Sequence, residues 1–335
     1  MLPDDIAFLQ LASGALAIGE GPFECLATPP ANAAAFYHND FWLSKNKPWR
    51  VPAKLSVVDF WPDAAPKALP KVEWEQPRFE AFAAAFQTIG SGFSNGMQLE
   101  KLVPVVTENG RLTSGDLRDL PARLMATPHR HARAYGFWSG SQGMIGATPE
   151  VFMTAQGAVV ETMALAGTTA PGHAEAFRSD PKEIREHELV VAGIQQALGE
   201  HLEREPREIL ELDGLMHFLT RLRLDRHQDS LPLNDLVQRL HPTPAVGYLP
   251  RSVKAGSLYR NVRQQLRPPA DFAAPFGFWH KGRFEAVIAI RNIIWDSDNV
   301  ALAAGCGLIR ESSLDLEWRE LALKRQVVKH VLGLA

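Results

Sequence analysis

The sequence predicts an α+β fold built on antiparallel sheet, and three observations carry that prediction. Strand-like text clusters in two long runs, 133–169 and 272–309, where glycine pairs and turn residues recur at hairpin spacing. These runs do not alternate regularly with helices, which disfavours a doubly wound parallel sheet. The 335 residues are 46% hydrophobic and 22% charged, enough to bury the core of one large domain or two ordinary ones. No repeat, low-complexity segment or clear linker divides the chain, so residues 1–335 read as one interwoven domain.

Residues 1–70 read as irregular text rich in Pro, Ala and Trp, with one strand at "AKLSVVDFW". Phe79, Phe82 and Phe86 recur at helical spacing and place a helix over "QPRFEAFAAAFQTI". Strand text follows at "LEKLVPVV", where Pro104 marks an edge or a bulge, and then a helix in "SGDLRDLPARLMA". After the first β-rich run, Asp180 as N-cap and Pro181 at the first helical position open a helix that extends to about Leu202. Next come strands "REILEL" and "LMHFLTRLRL", a helix in "LPLNDLVQRL", the proline-rich loop "LHPTPAVGYLPR" and a helix over "SVKAGSLYRNVRQQL". Turns at "HKGR" and "DSDN" make the second β-rich run a meander, and the helix "SLDLEWRELALKRQVVKHVLG" closes the chain.

A net charge of −3 without a basic face argues against a nucleic-acid partner. No stretch approaches the roughly 20 apolar residues of a membrane span. The opening apolar run carries two aspartates where a leader peptide needs positive charge, and Gln10 and Gly14 interrupt it. Two cysteines, Cys25 and Cys306, build neither a disulfide framework nor a structural zinc site. The chain therefore reads as cytoplasmic.

On the helix from Pro181, Glu186 lies in one row with Val190, Gly193, Ile194 and Ala197. On the last helix, Glu320 and Lys324 share a row with Leu316, Leu323, Val327 and Val331. A charge in an apolar row is costly unless paired or bound to a metal. Two readings stay open: edge positions that snorkel or form an i, i+4 pair, or two inward carboxylates that hold Mg²⁺. Glu150, after "ATP" in the β-rich run, reads from the residues alone as an exposed strand residue at a hairpin. Lys101 alternates with Leu99 and Val103, so it is either an exposed strand lysine or a buried base.

The ordered series "EKLV", "GATPE", "ETMALAGT", "REHELV", "LHPTPAVG", "AVIAIRN", "AAGCGLIRESS" and "EWRELALK" resembles the chorismate-utilising enzymes. That family includes anthranilate synthase large subunits, aminodeoxychorismate synthase, salicylate synthase and isochorismate synthase. The resemblance is strongest over 95–335, and residues 1–94 are divergent and short. It implies a single α+β domain whose antiparallel sheets enclose a deep site with helices outside. It further implies Glu186 and Glu320 as Mg²⁺ ligands. Gly167, Arg291, Gly305 and Lys324 match positions that hold the substrate's ring and carboxylates. His241 and Thr243 lie in the substrate loop.

Within the family, Ala166 stands where aminodeoxychorismate synthases carry a nucleophilic lysine, and Lys101 stands where anthranilate synthases usually carry glutamine. A lysine there is similar to the water-activating base of isochorismate and salicylate synthases, and "HPTPAVG" is closest to isochorismate synthases. The resemblance thus implies that neutral Lys101 takes a proton from water, which attacks ring carbon 2 of chorismate, while Glu150 protonates the hydroxyl leaving carbon 4. Salicylate synthase, or a chorismate-binding protein with little turnover, are the alternatives. No glutamine amidotransferase subunit is implied, and family habit implies a monomer. Four residues depart from the pattern: Val106, Tyr248, Phe272 and Ala274. Tyr248 replaces an expected glycine and would narrow the site if its ring pointed inward.

Overall fold

The computed structural model describes residues 3–62, 68–94, 98–126, 131–199, 201–212, 214–225 and 231–334. Four strands form early: β1 (Asp5–Gln10), β2 (Leu16–Leu26), β3 (Ala35–His38) and β4 (Trp49–Val58). The segment expected to be irregular is therefore largely sheet, with β1 on β2 and both β2 and β3 on β4. Its alternation is invisible because strands such as β1 bury both faces, Ile6 through Leu9 all being buried. The apolar opening is the β1–β2 hairpin, and Gly14 supplies the positive φ of its turn.

Next come β5 (Lys71–Trp74), α1 (Phe79–Ser94), β6 (Lys101–Leu102), β7 (Val105–Ser114) and α2 (Leu120–Ala126). Pro104 separates β6 from β7, so "LEKLVPVV" contributes to two strands. The first β-rich run gives β8 (Arg133–Ser139), β9 (Gln142–Thr148), β10 (Val151–Gln156) and β11 (Val159–Thr169). After α3 (Ala174–Arg178), α4 (Pro181–Leu198) begins as expected, the Asp180 carboxylate accepting from the N–H groups of Lys182 and Glu183. It stops short of Leu202 because Gly199, at φ 102, turns the chain out of the helix.

β12 (Glu203–Arg204), β13 (Glu208–Leu212), β14 (Leu215–Asp225), α5 (Leu233–Leu240), β15 (Tyr248–Leu249) and α6 (Val253–Leu266) follow. The meander is β16 (Pro275–His280), β17 (Arg283–Ile288), β18 (Asn292–Asp296) and β19 (Asn299–Gly305), and α7 (Leu314–Leu332) closes the chain. Among the described residues seventeen strands form one sheet, and β6 pairs separately with β15. Pairings of β1 with β8 and β3 with β16 sew the early strands into both β-rich runs. One apolar cluster fastens α1, α4, α5 and α6 to the sheet, and a second fastens α2 and α7. The fold is α+β with antiparallel pairing throughout, as the hairpin spacing predicted. Among the described residues no helix is long and apolar enough to cross a membrane.

Candidate active site

A cavity lies where β6, β11 and β19 meet α4 and α7, and it is lined by Lys101, Glu150, Gly167, Glu186, Arg291, Gly305 and Lys324. Seven residues singled out from widely separated motifs thus converge.

Lys101 reaches the cavity from a two-residue strand that could not stand alone. Its partner is the proline-rich loop: Lys101 faces Leu249 across the β6–β15 pair, Glu100 N–H donates to the Leu249 carbonyl at 2.9 Å, and Val103 N–H donates to Gly247 at 2.9 Å. The loop is fixed in turn. Arg251 donates to the His241 carbonyl at 2.7 Å and to the carbonyl of Arg239 at the end of α5, satisfying acceptors that the helix leaves open. Pro244 abuts Gly193 of α4, where an added Cβ would lie 2.3 Å from the proline ring.

Ala245 and Val246 line the cavity, but His241 and Thr243 do not. Both residues expected to contact substrate are instead buried away from the cavity wall, and His241 Nε2–H donates to the Phe41 carbonyl at 2.7 Å. Tyr248 also turns away. Its ring packs on Tyr259 of α6 with centroids 5.1 Å apart, and its hydroxyl faces Gly256.

Glu186 is buried, as its apolar row predicted. Its Oε1 lies 3.0 Å from Lys101 Nζ and its Oε2 3.2 Å from Lys182 Nζ. Burial pushes the carboxyl's pKa up, but the two ammoniums outweigh it and hold the group at about 2. Lys182 Nζ also lies 2.9 Å from Glu183 and 3.2 Å from Glu317. Burial opposes its charge, yet Glu186, Glu317 and Glu183 together hold its pKa above the ordinary value.

The last helix sits differently from its expected row. Leu316 is 62% exposed, and the buried stripe runs Glu317, Leu321, Arg325, Val328, Leu332. The inward face is displaced by one residue, about 100° around the helix. Glu320 and Lys324 occupy its half-buried flank, 2.6 Å apart, and Lys324 Nζ donates to the Gly305 carbonyl at 2.9 Å. Burial, then Glu320, raises Glu317 to about 7. Counting apolar positions missed Glu317 because charges, Glu317 and Arg325, lie on the buried stripe itself.

Glu150 is buried between β9 and β10 and is not an exposed hairpin residue. Its N–H donates to Thr148 Oγ1 at 3.2 Å and its carbonyl accepts from Ile288 N–H at 3.0 Å. Burial raises its pKa to about 7, with Lys101, Lys324 and Arg291 pulling the other way. Arg291 has φ 56, and Gly146 allows its carbonyl to approach: a Cβ there would lie 2.4 Å from that oxygen. Burial lowers the guanidinium to about 10.

Two further lining residues escaped the motif reading. His217 Nδ1–H donates to the Gly167 carbonyl at 2.9 Å, which leaves Nε2 as the acceptor, 3.4 Å from Arg291 Nη2. Burial lowers His217 to about 3, so the ring is neutral. A lone histidine inside the apolar strand "LMHFLTRLRL" was the available signal. Gly307 is the other: a Cβ there would stand 2.1 Å from Glu186 Oε1 and 2.6 Å from Lys101 Nζ.

The carboxylates suit a hard divalent cation. All donors are oxygens, and Glu317 Oε2 is buried without a hydrogen-bond partner among the described residues. No three acidic, histidine or cysteine groups among those residues form a ready-made cage. Mg²⁺ does not require one, since it is commonly held by one or two carboxylates with water and substrate completing the shell.

Fold and site together define a class: the chain belongs to the chorismate binding enzyme family, whose profile matches residues 63–333. It is similar to the salicylate biosynthesis isochorismate synthase of Pseudomonas aeruginosa, 31% identical over 61% of this chain and 45% of that protein. It is also similar to the isochorismate synthase MenF of Bacillus subtilis, 28% identical over 56% and 42% respectively. The chain thus spans less than half the length of these curated relatives. The solved menaquinone-specific isochorismate synthase of Escherichia coli shares the fold, with a TM-score of 0.79 at 20% identity, covering 98% of this chain and 89% of that one.

Proposed function

We propose that this chain converts chorismate to isochorismate in a Mg²⁺-dependent reaction. The observation that carries the proposal is the joint placement of Lys101 and Glu150 on one buried cavity. The resemblance puts Ala166 where aminodeoxychorismate synthases carry a nucleophilic lysine, and water is the nucleophile in this reading. Lys101 takes its proton as oxygen bonds to carbon 2, the ring double bond shifts, and Glu150 gives its proton to the hydroxyl that leaves carbon 4. One water enters and one leaves. Glu150 is suited to this role because burial keeps it protonated up to about pH 7.

Glu186 and Glu320 would hold the Mg²⁺, and Glu317, whose Oε2 is buried without a hydrogen-bond partner among the described residues, would offer a further oxygen. When bound, the ion neutralises the ring carboxylate next to the point of attack and fixes the ring. Arg291, Lys324 and the backbone at Gly167 and Gly305 orient the remaining polar groups of the substrate. No amidotransferase subunit is needed, because ammonia is not the nucleophile.

The test is to incubate the purified chain with chorismate and Mg²⁺ and to separate the products. Isochorismate supports the proposal. Salicylate with pyruvate identifies a salicylate synthase, and unchanged chorismate a binding protein with little turnover. Glu320→Gln should raise the Mg²⁺ concentration needed for half-maximal rate; an unchanged titration counts against the assigned ligand.

A further inference from the structure

Lys182 belongs to no part of the proposed reaction, yet its ammonium stands among three carboxylates: Glu183 at 2.9 Å, and Glu186 and Glu317 at 3.2 Å each. It lies in the first turn of α4, directly after Pro181. A cation there opposes the helix dipole, so helix stability does not account for it. The carboxylates hold it.

Two ammoniums contact Glu186, and they differ in freedom. Lys101 is 1% exposed, and its head is boxed in at Gly307, where even a Cβ would collide with it. Lys182 is 21% exposed, so its long stem can carry the charge outward to water. Lys182 is therefore the partner that can leave.

We propose that Lys182 is a built-in stand-in for the metal: its ammonium keeps Glu183, Glu186 and Glu317 together in the metal-free protein, and a divalent cation enters by displacing it. The inference rests on the metal assignment made above. The apparent metal affinity of the wild type is then reduced by the fraction of molecules in which Lys182 still holds the carboxylates.

The experiment measures metal binding without substrate. Full-length wild type, Lys182→Met and Lys182→Gln are titrated with MgCl₂ by calorimetry and with MnCl₂ by electron paramagnetic resonance, and their melting temperatures are taken with and without MgCl₂. The neutral variants should bind either ion about tenfold more tightly than the wild type. They should melt lower without metal, as like charges lose their partner, and regain the difference at saturating MgCl₂. Equal or weaker binding by either folded variant overturns the stand-in role while leaving the metal site intact. Absence of binding in all three proteins overturns the metal assignment itself, and the inference with it.

Discussion

Lys101 Nζ sits 3.0 Å from Glu186 Oε1, inside the protein and out of reach of bulk water. The proposed base and a proposed metal ligand therefore share one hydrogen bond in the metal-free chain. Glu186 Oε2 also lies 3.2 Å from Lys182 Nζ, so a single carboxylate links the proposed base, the proposed metal site and a second lysine.

Lys101→Ala should lower kcat by about 10²- to 10⁴-fold, the usual range for one acid–base group. Glu186 keeps Lys182 as a partner in this variant, so its circular dichroism spectrum should match the wild type. A rate near normal would remove Lys101 from the mechanism.

Glu150→Gln separates stability from catalysis. The folded carboxyl titrates near 7 because burial disfavours its charge, whereas the unfolded group titrates near the ordinary 4.5. The raised folded value means that stability is fully present below pH 4.5 and is lost as pH rises toward 7. Glutamine never ionises. The variant should therefore match the wild type near pH 4 and exceed it by about 1–3 kcal/mol at pH 8, while losing turnover. Urea melts at the two pH values check this, and a variant less stable at pH 8 would contradict the burial argument.

How far the sequence carried this far depends on what each residue has for neighbours. Glu186 was legible because the rest of its helical row is apolar, so a carboxylate there had to be inward. Glu317 was not, since the buried stripe of α7 also carries Arg325, held by Glu108 at 3.2 Å, and a stripe with two charges does not read as a stripe. The hairpins of 133–169 announced themselves through glycines at turns. Strand β1 did not, because burial on both faces erases alternation. His241 and Thr243 lie in the right loop, but a loop has two sides, and motif spacing does not say which side faces substrate.

Tyr248→Ala tests which way the loop faces. The ring is half-buried against Tyr259, so truncation should cost about 1–3 kcal/mol of stability. Because the ring points toward α6 and is absent from the cavity wall, KM for chorismate should stay within about twofold of the wild type. A large fall in KM with unchanged stability would mean that the ring obstructs the site after all.

Gly307→Ala is the smallest change that should stop the enzyme. The glycine has ordinary backbone geometry, so conformational strain is not the issue, and only one methyl group is added. That methyl would stand 2.1 Å from Glu186 Oε1, 2.6 Å from Lys101 Cε and 2.6 Å from Lys101 Nζ. Neither side chain can yield cheaply: Lys101 is 1% exposed and Glu186 is held by two ammoniums. The pair must separate or tilt, which moves the proposed base and the proposed metal ligand together. Misplacement of reacting groups by about 1 Å costs on the order of 10²-fold in rate. Overpacking costs about 1–3 kcal/mol of stability. We expect kcat/KM to fall at least about 100-fold and the Mg²⁺ requirement to rise in the same variant, whereas Gly305→Ala, whose Cβ meets its nearest neighbour at 3.0 Å, should suffer less on both counts. Parallel kinetics and MgCl₂ titrations of the two variants decide it: equal losses would show that close packing around β19, and not the Lys101–Glu186 contact, sets the requirement for glycine.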